Sequence, residues 1–357
     1  MLVVLYFIGI LLGLLWDKSR LVRFYQLSVV WTLYVFNTAN ADMGSYKMIY
    51  YGHYGKHEVG FEFWRGLFAQ NNIAFEMFWL VSMSIVVIAI FLASKKLFCE
   101  IHNGAISFMM LVPLLGMVIS LRNSMASAVI FAAITWFFRC DSRRISNKFK
   151  FIICVFLAAS FHYTALFFLI VLMVKEELPS KKSLKRAFAA MIIATIGLNS
   201  SFFGYILNSL FHGNNKVLAW FDSSNRIRGG LIMVVGLHFM GFFIAMYSNK
   251  CLRLKLRESG EVNSSIEKKI FSLNVYSMFL CGFYTFNMIF FDRLYAVVLM
   301  INTINCFHLL SKFKKNKYVV YGTLMQGVYV IIIFLALYGP RKFAPIKELF
   351  EYNALFS

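Results

Sequence analysis

The sequence predicts an all-α, polytopic integral membrane protein with about twelve transmembrane segments, and three observations predict it. Of its 357 residues 60% are hydrophobic, and the mean hydropathy is +0.69. The apolar residues fall in runs long enough to cross or half-cross a hydrocarbon core, separated by short basic or polar segments. Only four prolines interrupt these runs. The formal net charge of +20 would in a soluble protein point to nucleic acid. Here the charge sits between apolar runs, where it orients the chain, so no nucleic-acid partner is expected. The six cysteines include no CxxC pair and predict neither a disulfide framework nor a zinc site. Residues 1–357 therefore read as a single transmembrane domain.

In chain order, crossings are predicted at about 2–16, 24–39, 76–94, 98–119 and 123–138, then two half-spans within 151–174. Further crossings follow at about 187–207, 231–247, 270–289, 294–311 and 318–338. The run Leu2 to Trp16 lacks a basic segment before it and a small-residue cleavage site after it, so it reads as a first span, not a cleaved leader. Gly9 and Gly13 give that span a GxxxG spacing, which lets a neighbouring helix approach closely. Pro113 removes a backbone donor from the fourth span and predicts a kink there.

The stretch Phe151 to Val174 is long enough for one crossing, but its flanks forbid it. Arg139, Arg143, Arg144, Lys148 and Lys150 precede it, and Lys175, Lys181, Lys182, Lys185 and Arg186 follow it. A single crossing would put one of these basic clusters on the outer face, against the retention of positive loops in the cytoplasm. The stretch therefore predicts a tight hairpin with His162 at its outer tip. With both termini outside, the outer face carries 11 of the 36 Lys and Arg and the cytoplasmic side the remaining 25.

Two outer segments are predicted, 40–75 and 208–230, each forming part of one functional face. In the first, Asp42, Tyr46, Tyr50, Tyr54, Glu58 and Glu62 recur every four residues, but Gly52, Gly55 and Gly60 argue against one continuous helix. A helix from about Asp42 to Tyr51, a turn and a second short helix through Glu62, Trp64 and Arg65 are expected. The second segment carries Trp220, Asp222, Arg226 and Arg228, aromatic and charged groups that suit a sugar chain and a solvated loop equally well. The cytoplasmic segment Asn249 to Lys269 is assigned no chemistry.

Ionisable groups at membrane depth are costly and mark function. Four groups of them gather at the outer edge: Arg122, His162, Asp292 with Arg293, and Asp42 with Glu58. Arginine suits a diphosphate, because its planar fork makes bidentate contacts with phosphate oxygens. This assigns Arg122 and Arg293 to a donor diphosphate. A histidine or carboxylate can take a proton from a sugar hydroxyl, which makes His162, Asp42 and Glu58 the catalytic candidates, with His162 favoured as base. Tyr46, Tyr50, Asp292, Trp220, Arg226 and Arg228 are candidates to contact glycan or acceptor. The arginines already supply positive charge to the leaving group, so neither a metal nor a cofactor is expected. The sequence contains no DxD and no phosphate-binding glycine loop, and no soluble catalytic domain is predicted, which points to donor and acceptor both presented on lipid.

These residues resemble the EpsG family of bacterial exopolysaccharide and O-antigen polymerases, the Wzy-type enzymes. The matching pieces are Asn40-Ala41-Asp42 with Tyr46 and Tyr50, Glu58-Val59-Gly60-Phe61, Arg122 with Met125-Ala126, Phe161-His162-Tyr163-Thr164-Ala165, and Asp292-Arg293 with Tyr295. Family members more often carry proline where this chain has Val59. The resemblance implies a GT-C-like membrane glycosyltransferase that moves a growing glycan from undecaprenyl diphosphate onto a lipid-linked repeat unit. It also implies a bacterial inner-membrane location with the site facing the periplasm, oligosaccharide substrates on undecaprenyl diphosphate within membrane lipid, and two partners, a flippase and a chain-length regulator. Two rivals remain: an O-antigen ligase using the same donor, and a polysaccharide flippase or other transporter. A transporter would line its midplane with polar groups and often repeat half its chain, and neither pattern is present here.

Overall fold

The computed structural model describes residues 1–40, 42–53, 57–177, 180–198, 265–277, 288–314, 316–338 and 344–356. Its first half contains helices α1 (Leu2–Leu15), α2 (Arg20–Val35), α3 (Met43–Tyr50), α4 (Val59–Ala69), α5 (Phe75–Phe98), α6 (Asn103–Leu111), α7 (Pro113–Met117) and α8 (Leu121–Arg139). There follow α9 (Ile145–Ala159), a 3-10 helix (Tyr163–Met173), α10 (Lys181–Leu198), α11 (Ser265–Ser277), α12 (Met288–Lys312), α13 (Lys317–Tyr338) and α14 (Ala344–Glu351). Among the described residues the only β pairing is an isolated bridge between Asn37 and Asn353, so the all-α expectation holds there.

Four described segments are long and apolar enough to cross a membrane: Phe75–Phe98, Leu121–Arg139, Leu294–Lys312 and Lys317–Leu335. Leu2–Leu15 and Tyr163–Met173 are shorter apolar helices. The crossing expected at 98–119 is two helices instead of one kinked helix. Val112 leaves helical geometry (φ −127°, ψ −69°), and Pro113, which has no N–H to continue the ladder, opens α7 at its first position. The expected crossings at 187–207 and 270–289 are described only in part. The one at 231–247 lies outside the described residues.

Close approach at the GxxxG spacing is evident. A Cβ on Gly13 would sit 2.8 Å from the Asn103 carbonyl oxygen, so α1 meets the start of α6 with no room for a side chain. Gln26 seals this contact by donating from Nε2 to the Gly9 carbonyl at 3.0 Å and to Ser107 Oγ at 2.9 Å.

The hairpin expected around His162 is present. Helix α9 ends at Ala159, the chain turns through Ser160, Phe161 and His162, and the 3-10 helix returns. The two ends of the hairpin meet, because Ser142 Oγ donates to Glu176 Oε1 at 3.1 Å. Lys269 Nζ, whose side chain is only 1% exposed, clamps the same point. It reaches Glu176 Oε1 at 3.0 Å and donates to the Phe138 and Cys140 carbonyls at 3.1 and 2.6 Å. Burial works to raise the Glu176 carboxyl, but Lys269 and then Ser142 outweigh it and hold it below its ordinary value.

The helices run between two poles. One pole holds the start of α1, the end of α2, α3, α4, the first turns of α5 and α8, the hairpin tip and the C-terminal segment. Asn353 donates to the Thr32 carbonyl there at 3.0 Å, and the Ala354 N–H donates to Phe36 at 2.8 Å. The other pole holds Asp17, Lys95, Lys96, Arg139, Arg143, Arg144 and Glu176. Arg139 closes it onto the end of α5 by donating to the Lys96 carbonyl at 2.6 Å.

Candidate functional site

The first pole is built on an aromatic floor. Phe61, Phe75, Phe78 and Trp79 are each no more than 2% exposed, and Tyr46 and Tyr50 are buried among them. The Tyr46 ring packs edge-on against Phe61 and tilted against Trp79, and its hydroxyl lies 3.4 Å from Ser120 Oγ and accepts from the Arg122 backbone N–H at 3.3 Å. The Tyr50 hydroxyl donates to the Ile73 carbonyl at 2.5 Å. Both tyrosines were candidates to meet glycan; in the structure their rings are core and their hydroxyls hold neighbouring segments.

On this floor Arg122 is held by one nitrogen. Its Nη1 donates to Glu58 Oε2 at 2.6 Å and to His57 Nδ1 at 3.1 Å, and the guanidinium lies over the Phe61 ring at 5.8 Å. A guanidinium only donates, so His57 Nδ1 is the acceptor and its ring proton sits on Nε2. The Glu58 and Arg122 side chains are 15% and 24% exposed. Arg122 Nε is buried without a hydrogen-bond partner among the described residues, so it is the exposed part of the 24% exposed side chain that can meet an incoming oxyanion.

The position of Glu58 follows from helix ends. It stands before the first turn of α4 in extended geometry and makes no capping bond, so its carboxylate is available to Arg122. The first-turn N–H groups of α4, which lack intrahelical partners, go instead to the hairpin: Gly60 and Phe61 donate to the Ser160 carbonyl at 2.9 and 3.1 Å. Gly60 is required for that docking, since a Cβ there would fall 2.8 Å from Ser160 Cβ. Thus Glu58 and the hairpin tip with His162, about a hundred residues apart in sequence, are joined through Gly60.

His162 is 2% exposed. Its Nδ1 accepts from the Thr164 backbone N–H at 3.4 Å, which leaves that nitrogen unprotonated, and lies 2.8 Å from Thr164 Oγ1. Its ring stacks on Tyr163 with centroids 5.1 Å apart. Asp42 immediately precedes α3, half-buried, one turn before Tyr46. Asp292 and Arg293 lie on the early part of α12, a helix that runs from the first pole to His308 at the second; their side chains are outside the described set. Trp220, Arg226 and Arg228, with the whole segment 208–230, lie outside the described residues.

His57 was not singled out from sequence. Its signal there was only its place beside Glu58, and a histidine in a glycine-rich outer loop reads equally as solvated. Beside the pole opens an apolar cavity of about 460 Å³. It is lined along α8 by Met125, Val129, Ala132 and Trp136, along α5 by Ile85 and Ala89, and at its upper end by Trp64 and Phe161. Met125 lies one helical turn after Arg122, so the cavity begins where the charged cluster ends.

Comparison with protein families matches residues 20–353 to the EpsG family, and the chain belongs to that family. Membership and the apolar helices make it a membrane protein of polysaccharide-polymerase type. No curated protein and no solved structure matches the chain.

Proposed function

We propose that this EpsG-family protein transfers a growing glycan from undecaprenyl diphosphate onto a lipid-linked repeat unit at the outer face of a bacterial inner membrane. The observation that carries this reading is the juxtaposition of Arg122, anchored by Glu58 and His57 with part of its side chain exposed, and an apolar cavity suited to a polyprenyl tail. The diphosphate sits against Arg122, with Arg293 as the second arginine, and the tail lies along α8 between Trp64 and Trp136. As C1 of the donor sugar is attacked, the bond to the diphosphate breaks and its growing charge is met by the arginines, so the leaving group needs no proton.

The acceptor hydroxyl must lose its proton. His162 Nδ1 faces Thr164 Oγ1, so we assign the proton's path through the Thr164 hydroxyl to Nδ1. Asp42 orients the acceptor, and Glu58 holds Arg122. Asp292, Trp220, Arg226 and Arg228 remain the groups we assign to the glycan. Transfer itself is read as metal-independent. The first pole faces the periplasm, a reading supported by the concentration of lysine and arginine at the other pole. A GT-C-like arrangement of about twelve crossings, with a flippase supplying repeats and a chain-length regulator as partners, belongs to the same proposal.

The test is transfer between purified lipid-linked repeats. Wild type is expected to lengthen the glycan, His162→Ala and Thr164→Val to slow it by about 100-fold or more, and Asp42→Asn to raise the acceptor KM. Near-normal turnover by both His162→Ala and Thr164→Val removes the proton path. Transfer to lipid A core in place of a repeat unit makes the protein a ligase.

A further inference from the structure

At the second pole three chain segments bring histidine and carboxylate ligands together. They are the α1–α2 turn with Asp17, the α5–α6 link with Glu100 and His102, and the last third of α12 with His308. The ligand atoms of Glu100, His102 and His308 all lie within 4.8 Å of one another. His102 is 1% exposed and His308 is 4% exposed.

The Asp17 carboxylate fixes the proton of His102 on Nδ1. Its Nδ1 lies 2.6 Å from Asp17 Oδ2, and the other Asp17 oxygen accepts the Gly104 N–H at 3.0 Å. A carboxylate accepts, so Nδ1 carries the proton, and in the neutral ring Nε2 presents a lone pair. Among the described residues that nitrogen is buried without a hydrogen bond, and it lies 3.5 Å from Glu100 Oε2, so two acceptors sit beside each other. A cation between them resolves the conflict. An oriented histidine whose far nitrogen is held by a carboxylate is the outer-shell arrangement that metal-binding histidines use.

The second imidazole is fixed too. The His308 ring stacks on Phe98 at 3.8 Å with an interplanar angle of 11°, which sets its plane. Its Nε2 lies 3.9 Å from Glu267 Oε1, a carboxylate 1% exposed on α11. Two nitrogens and one or two carboxylate oxygens form the donor set of a divalent transition metal, zinc foremost. Glu100, with a side chain 40% exposed, has the freedom to close the spacing toward the ~3.3 Å edge of a tetrahedron with ~2.0 Å bonds.

We propose that Glu100, His102 and His308 bind a divalent transition metal, with Asp17 as the positioning residue, and that the ion ties the α1–α2 turn and the α5–α6 link to α12. This site is distinct from the transfer site. Its link follows α5, a 24-residue helix whose other end carries Phe78 against Phe61, the ring beneath Arg122, so about 36 Å of helix separates them. The metal independence expected of transfer is therefore untouched by it.

The experiment uses the full chain purified in detergent with any histidine tag removed, loaded with Zn²⁺ or Co²⁺ and then desalted. Wild type is expected to retain about one metal per chain by mass spectrometry, to melt at a higher temperature with Zn²⁺ than after chelation, and to show visible d–d absorption with Co²⁺. His102→Ala and His308→Gln should lose retention, and Asp17→Asn should weaken affinity about 10- to 100-fold. Should the histidine variants fail to fold, Glu100→Gln on the half-exposed ligand carries the same expectation, and the wild-type cobalt spectrum stands without any variant. Wild type that retains no metal and gives no cobalt spectrum overturns the proposal in favour of a doubly protonated His102 between two carboxylates. Equal retention by wild type and the folded variants overturns it as well.

Discussion

The most exacting consequence of the fold concerns Gly60. In Gly60→Ala the new Cβ would sit 2.8 Å from Ser160 Cβ and 3.0 Å from the Ser160 carbonyl oxygen. Carbon atoms at their optimal separation are ~3.5–4.0 Å apart, so α4 must back away from the hairpin tip by roughly 1 Å. The Gly60 and Phe61 donors, now 2.9 and 3.1 Å from the Ser160 carbonyl, then pass beyond bonding distance. Two hydrogen bonds at about 1 kcal/mol each, with part of the 1–3 kcal/mol usual for overpacking, set the cost of docking at roughly 2–4 kcal/mol. That corresponds to a docked population lowered by about 30- to 1,000-fold relative to the undocked one. Because Glu58 stands two residues before Gly60, Arg122 loses its anchor when α4 undocks. The bundle is not part of that loss. Gly60→Ala should therefore keep a melting temperature close to wild type while the amides of Gly60 and Phe61 lose protection in hydrogen exchange and transfer falls steeply. Ser160→Gly, which removes the nearest obstructing carbon, should restore part of it. A Gly60→Ala protein with wild-type protection and wild-type transfer would refute the docking of α4 on the hairpin as the support of Glu58.

Other consequences are independent of that one. Lys269→Ala leaves Glu176 with Ser142 but no counter-charge, takes the donor from two carbonyls, and should cost about 3 kcal/mol, the low end for a broken buried pair, because the Glu176 side chain is 24% exposed and water reaches it. The double variant Lys269→Met with Glu176→Gln should recover most of the loss in thermal melting, and its failure to do so would show that the charge pair is not what closes the hairpin. Since the Glu176 carboxyl is lower in the folded protein than its ordinary value of 4.5, it contributes stability above that pH and loses it as the pH falls through the folded value. The acid limb of the melting curve should accordingly flatten in Glu176→Gln. Topology is testable with the exposed native Cys99 and with Ser146→Cys and Ser180→Cys, all at the second pole. All three should resist an impermeant thiol reagent in intact spheroplasts while Asn71→Cys reacts, and labelling of Ser146→Cys from outside would reverse the orientation. Ala132→Trp, at an exposed position of the apolar cavity, should raise KM for long-chain donors by about tenfold and leave short-chain analogues unaffected; an equal effect on both would take the tail out of the cavity.

Much of the helical layout was legible because each run carries its own signal. The hairpin could be read from the basic clusters on both its flanks, and its turn falls at Phe161-His162, where the apolar run is broken. Pro113 announced the interruption of α6, although a kink was expected and a full break is present. The glycines at 9 and 13 announced the close contact of α1, but not that its partners would be Gln26 and the start of α6. At the site, Glu58 and Arg122 were each visible as charges at a membrane edge, whereas their pairing across 64 positions was not, because nothing local records a long-range contact. Tyr46 and Tyr50 were read as possible sugar contacts, since spacing cannot tell a ring turned into the core from one turned out. Lys269 was hidden in a mixed-charge segment that reads as solvated. His102 and His308 were hidden for another reason: each is a lone histidine, and only the fold brings them together.

The claim on which the function rests is that Arg122 holds the donor diphosphate. It is tested most directly by the affinity of detergent-purified protein for a fluorescent polyprenyl diphosphate, with the monophosphate as comparison. Wild type should prefer the diphosphate by about tenfold or more, and Arg122→Lys, which keeps the charge but loses the planar fork, should bind it about 10- to 100-fold more weakly with an unchanged melting temperature. Equal diphosphate affinities in wild type and in a folded Arg122→Lys protein would contradict the account.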